Sequence, residues 1–197
     1  GLDADRMAMV DALDGKTMKP KGGLDNAAGM RQSAQGAARL MAADDGPRIA
    51  ALAFDGWDTH VNEGGASGRL ANLLGGLDGA FEEFEKGLGS RWKDTAVVAI
   101  TEFGRTARIN GTVGTDHGTG TVVLLAGGAI KGGRVIADWP GLKPAQLYEQ
   151  RDLAPTSDVR AVLKGLLADQ FGLSAAMLGD KVFPESVAVR PMRDLVA

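Results

Sequence analysis

Residues 48–60 read Arg48-Ile49-Ala50-Ala51-Leu52-Ala53-Phe54-Asp55-Gly56-Trp57-Asp58-Thr59-His60. The first seven are short and almost continuously apolar, the pattern of a strand buried on both faces. Asp55-Gly56 closes the run, and two groups with metal-ligand chemistry follow at once. Asp58 and His60 are one residue apart, so on an extended segment both side chains project to the same side and can chelate one ion.

Outward from this stretch, Leu70, Leu73, Leu74, Leu77, Phe81, Phe84 and Leu88 recur at helical spacing, with Glu82, Glu83, Glu85 and Lys86 mostly on the other side. Thr95-Ala96-Val97-Val98-Ala99-Ile100-Thr101 reads as a second strand and Thr121-Val122-Val123-Leu124-Leu125-Ala126 as a third. Strand, helix, strand is the order of a right-handed parallel βαβ unit. The second strand ends directly before Glu102-Phe103-Gly104-Arg105, and Thr115-Asp116-His117-Gly118 precedes the third. Ligands of an open α/β sheet bind beyond the carboxyl ends of its strands, so Asp58, His60, Glu102 and Arg105 are expected to share that edge.

The flanking segments are less periodic. Residues 1–25 are polar and broken by Gly15, Pro20, Gly22 and Gly23, with a short helix around Asp5 to Leu13. Asp25 to Met41 suits a tightly packed helix stopped by Asp44-Asp45-Gly46-Pro47. Lys131 to Ile136 suggests a hairpin or edge strand, and Asp138 to Leu142 a turn. A last helix starts near Thr156 or Ser157 as N-cap, runs through Phe171 and ends at Gly172.

With 197 residues, 44% hydrophobic and 24% charged, and no linker, the chain reads as a single α/β domain over 1–197. Its abrupt start at Gly1 reads as the C-terminal portion of a longer chain. A net charge of −3 gives no electrostatic footprint for nucleic acid. No apolar stretch approaches the ~20 residues that cross a bilayer. Cysteine is absent, so any metal must be held by His, Asp, Glu and water.

Both of the chain's histidines lie in Asp/His clusters. Carboxylate and imidazole suit zinc or manganese. Asp116 and His117 are adjacent and diverge on a regular strand, so joint ligation needs a turn, which Gly114 and Gly118 permit. Glu102 adds a third acidic group, as ligand, base or a partner behind the ligands. Arg105 carries a permanent charge suited to gripping phosphate or sulfate, and Lys131 is a weaker candidate for the same task. The glycines around Lys131 do not form a P-loop, because no Gly-Lys-Ser/Thr ending opens a helix. Each residue also has a plainer reading: Asp58 and Asp116 as turn residues, Glu102 and Arg105 as a surface ion pair, Trp57 and Trp139 as packing.

The series Phe-Asp-Gly-Trp-Asp-Thr-His, Thr-Glu-Phe-Gly-Arg, Gly-Thr-Asp-His-Gly-Thr, Gly-Gly-Ala-Ile-Lys-Gly-Gly and Trp-Pro-Gly-Leu resembles the C-terminal part of the DUF1501 family. That family is a sulfatase-like branch of the alkaline phosphatase superfamily. The resemblance implies an alkaline-phosphatase-like three-layer α/β sandwich with a mostly parallel central sheet. It implies one or two divalent ions, zinc or manganese, with Asp116 and His117 on one and Asp58 and His60 on the other. It also implies export to the periplasm or beyond. Active members carry a nucleophile on an earlier strand and commonly a further histidine; nothing before residue 48 reads as that strand, and the chain has two histidines.

The expected function is a metal-dependent hydrolase of phosphate or sulfate esters, with part of its site in this chain and a small anionic ester as substrate. The alternative is a non-catalytic metal- or anion-binding module of the same fold.

Overall fold

The computed structural model describes residues 25–197. The irregular N-terminal segment and the helix expected at Asp5 to Leu13 lie outside the described residues.

Helix α1 (Ala27–Ala42) begins where the Asn26 side chain accepts the Gly29 N–H, and it stops at Ala43, whose backbone is extended. Helix α2 (Arg69–Leu88) follows a long loop. It has no side-chain cap; instead the Leu70 N–H donates to the Glu63 carbonyl at 2.9 Å. Small residues let the two helices approach closely: a Cβ on Gly76 would stand 2.8 Å from Ala27 Cα, and one on Gly87 2.6 Å from Ala38 Cβ. Met30, Ala34 and Ala38 of α1 are buried against Leu73, Ala80, Phe84 and Leu88 of α2. Arg31 pairs across the seam with Glu82 at 2.7 Å, and Lys86 pairs with the same Glu82 one turn on at 2.6 Å.

A 3₁₀ turn (Gly89–Asp94) leads into β1 (Val97–Ala99). Then come β2 (Gly104–Arg105), β3 (His117–Gly118) and β4 (Leu124–Ala126). β1 pairs with β4 and β2 with β3, both antiparallel, in two separate two-stranded sheets. After a short turn at Pro144–Gln146, helix α3 (Val159–Phe171) is capped by Asp158 and ended by Gly172 in the left-handed conformation. α3 lays Val162 and Leu166 over Val98 and Leu125 of the β1–β4 pair, with Leu195 completing this second core. Lys164, 2% exposed, donates to the Ser186 and Val189 carbonyls at 2.6 and 3.0 Å and ties the C-terminal segment to the helix. A short helix α4 (Ala175–Met177) and a wide turn at Leu178–Val182 lie between them.

The three-layer sandwich with a mostly parallel sheet is not what forms. Arg48 to Phe54 makes no strand, and Ile49 and Leu52 are 67% and 37% exposed. Three of its seven residues are alanine, a weak strand former. The helix that was to cross over between parallel strands buries Leu73, Phe84 and Leu88 in a core shared mainly with α1, with Val97 of β1 beside it. Helical periodicity identifies the face that is covered but not what covers it. The two expected strands at 95–101 and 121–126 do pair, but over three residues each and antiparallel. Their connection holds no helix; it doubles back through the nested β2–β3 pair, and a chain that folds back on itself returns antiparallel. The hairpin expected at Lys131 to Ile136 is absent too, with Val135 91% exposed. Among the described residues no helix is long and apolar enough to cross a membrane.

Candidate metal centre

The two Asp/His clusters meet, but not at the carboxyl edge of a parallel sheet. They meet where the loop after Phe54 docks on the loop between β2 and β3. The Asn62 and Glu63 N–H groups donate to the Thr112 and Val113 carbonyls at 3.0 Å each, and Thr115 N–H donates to the Thr59 carbonyl at 3.2 Å. This contact runs past Gly114, which is buried, and any Cβ there would overlap the backbone of Thr59 and His60. Gly56, with φ of 91°, makes the turn that brings Asp58 and His60 round to the seam.

Asn110 organises the other side. Its side-chain oxygen accepts the Thr112 and Gly114 N–H groups at 2.9 and 3.1 Å. Its amide donates to the His60 carbonyl and to Asp116 Oδ1, both at 3.0 Å. β3 places His117 opposite Arg105 on β2, and the His117 ring stacks on Phe103 with centroids 4.1 Å apart.

Three potential ligand atoms converge as a result. Asp58 Oδ1 lies 2.9 Å from His60 Nε2 and 2.9 Å from His117 Nε2, and the two nitrogens lie 3.2 Å apart. A tetrahedral zinc with bonds of about 2.0–2.1 Å has ligand atoms about 3.3 Å apart, so the triangle is nearly one face of that shell. The donor set fits a borderline ion such as zinc or manganese. Proton bookkeeping points the same way. His60 Nδ1 faces Asp116 Oδ1 at 3.3 Å, a contact that requires a proton on Nδ1. In a neutral ring that leaves a lone pair on Nε2, facing Asp58 Oδ1 and His117 Nε2, and either the proton of a His117 Nε2–H tautomer or a cation among the three atoms serves it.

Of the sequence candidates, Asp58, His60 and His117 form this group. Asp116 stands behind His60, in the place of a carboxylate that orients a ligating imidazole. Glu102 is exposed, accepts from the Thr101 hydroxyl at 3.4 Å and does not join the group. Arg105 pairs with Asp58, at 2.5 Å, and not with Glu102. Its guanidinium holds the Asp58 carboxyl below the usual carboxylate range, with His117 adding to the effect. The Asn110 amide and then His60 do the same for Asp116. Lys131 lies elsewhere, paired with Asp194. Trp57 packs against the helical core, whereas Trp139 is exposed.

Sequence reasoning passed over Asn110 and Glu63. Asn110-Gly111 is a turn dipeptide and so was visible as a loop signal. Nothing local distinguishes Glu63, whose carboxylate accepts from the Thr115 hydroxyl at 2.6 Å.

A family model described as protein of unknown function, DUF1501, matches residues 4–182. No curated protein and no solved structure matches the chain. With most of its length covered by that model, the chain belongs to the DUF1501 family.

Proposed function

We propose that this chain carries the metal-binding part of a sulfatase-like hydrolase acting on small phosphate or sulfate esters. The observation that supports it is the triangle of Asp58 Oδ1, His60 Nε2 and His117 Nε2, spaced at 2.9, 2.9 and 3.2 Å. Asp58, His60 and His117 would hold zinc or manganese. Such an ion polarises an ester oxygen and offsets the charge that develops on it. Asp116 keeps the His60 ring oriented with Nε2 toward the site, and Phe103 keeps the His117 plane in place. Arg105 adds a fixed positive charge beside the ligand atoms.

The zinc- or manganese-loaded chain should release the aryl alcohol from aryl phosphates or aryl sulfates, and His117→Ala should abolish that release. A second reading is a non-catalytic metal-binding module. It is favoured by the engagement of Arg105 with Asp58 and Thr115, which leaves less of the guanidinium for a substrate. Metal binding with neither turnover of either ester class nor binding of phosphate or sulfate beside the metal selects it.

A further inference from the structure

Arg105 is held at three points. Its Nε donates to the Thr115 hydroxyl oxygen at 2.9 Å and its Nη2 to the Thr115 carbonyl at 2.5 Å, while Nη1 reaches Asp58 Oδ1. Guanidinium nitrogens only donate, so the Thr115 hydroxyl must accept and its own proton must go elsewhere. It goes to Glu63, whose Oε2 lies 2.6 Å from Thr115 Oγ1. Glu63 is itself fixed by backbone bonds, its N–H on Val113 and its carbonyl on the first turn of α2. A continuous chain therefore runs from the start of α2 through Glu63, Thr115 and Arg105 to the ligand atoms.

We infer that Glu63 and Thr115 are positioning residues that turn the Nε–Nη2 edge of Arg105 inward, so that an oxyanion at this site meets the Nη end of the guanidinium and not that edge. The free guanidinium presents five N–H groups and grips phosphate or sulfate with paired bonds. Here the Nε–Nη2 edge is turned to Thr115, and Nη1 is the nitrogen on Asp58 Oδ1, the atom that both histidine Nε2 atoms also contact. Replacing the carboxylate of Glu63 by an amide removes the charge that strengthens its bond from the Thr115 hydroxyl, and so loosens the hydroxyl's hold on Arg105 Nε. The anion half of this inference rests on the proposed metal-dependent reading; the positioning half does not.

Two readouts separate them. In nitrogen-15-labelled full chain, the Arg105 Nε–H resonance, assigned as the one lost in Arg105→Lys, should be resolved and slow to exchange with water. Thr115→Val and Glu63→Gln should each speed that exchange by about tenfold or more, and Thr115→Ser should restore it. In the zinc-loaded chain the first two variants should weaken inorganic phosphate binding about tenfold, with zinc affinity changed less than about twofold. An Arg105 resonance indifferent to Glu63→Gln, or equal in Thr115→Val and Thr115→Ser, overturns the inference whether or not metal binds. Absence of zinc binding in the unaltered chain sinks the metal-dependent reading and leaves the resonance data to decide the positioning role.

Discussion

His60 and His117, 57 residues apart in sequence, bring their Nε2 atoms within 3.2 Å of each other. Two imidazoles at that distance share either a proton, as an N–H···N hydrogen bond, or a cation, and Asp58 Oδ1 at 2.9 Å from both adds a negative charge that favours the cation. His60→Ala, His117→Ala and Asp58→Ala should each weaken zinc binding by more than about 100-fold. Zinc at a hundred times its dissociation constant should stabilise the unaltered chain by about 2.7 kcal/mol. Thermal denaturation with and without zinc checks both; equal zinc shifts in all four proteins would reject the triangle as a binding site.

Asp116 and Glu102 separate two roles for a carboxylate. Asp116 contacts Nδ1 of His60 from behind, so Asp116→Asn should lower zinc affinity by about 10–100-fold without abolishing it. Glu102 is outside the group, and Glu102→Gln should leave the affinity unchanged. Calorimetric zinc titrations of the two variants measure this. A loss in Asp116→Asn as large as in His117→Ala would make Asp116 a direct ligand.

Val113 lies in the loop that docks on Thr59 to Glu63 and has φ of 59°. A β-branched residue is poorly suited to that left-handed conformation, whereas asparagine adopts it readily. Val113 is exposed, so little packing is lost on replacement. Val113→Asn should raise stability by about 1 kcal/mol, read as an increase in the urea midpoint at constant slope. A lower midpoint would show that the valine side chain contributes more than the backbone strain costs.

Glu82 gives the helix pair an acid-sensitive tie. Hydrogen bonds from Lys86 and then Arg31 lower its carboxyl from 4.5 to about 2. Its folded value is therefore depressed, and the unfolded chain binds more protons between the two values. The stabilisation it contributes is present above about pH 4.5 and is lost as the pH falls toward about 2. Glu82→Gln should flatten that part of the stability profile and leave the profile above pH 5 parallel to the unaltered one, as followed by circular dichroism. An unchanged acid limb would mean that the pair is too well solvated to matter.

The helices were legible because their signals are local. Gly172 ends α3 as expected, although the cap at its start is Asp158 and not Thr156 or Ser157, and Asn26 caps α1; of the expected α2 stripe Leu73, Phe84 and Leu88 are buried while Leu74 is 48% exposed. The sheet was not, because an apolar run such as Ile49 to Phe54 carries no record of its neighbour, and parallel or antiparallel pairing is decided by the connection. The site stands between these cases. Asp58, His60 and His117 were visible as residue types at short spacing. Their meeting depends on Asn110, Gly114 and the backbone bonds between residues 59–63 and 112–115, whose partners lie about fifty residues away. Arg105 shows the limit most plainly: its charge could be read from the sequence, but its attachment to Thr115 and Asp58 could not.

The docking of residues 59–63 on residues 112–115 also has a kinetic side. It closes a loop of roughly fifty residues that contains the whole of α2, and such closures come late because their entropy must be met before the contacts reward it. The ligand triangle spans that same junction, with Asp58 and His60 on one bank and His117 on the other. An ion held there acts as a rivet across the closed loop. Amide protons such as that of Thr115, which bonds to Thr59, would then report the ion by exchanging more slowly, even though they do not touch it.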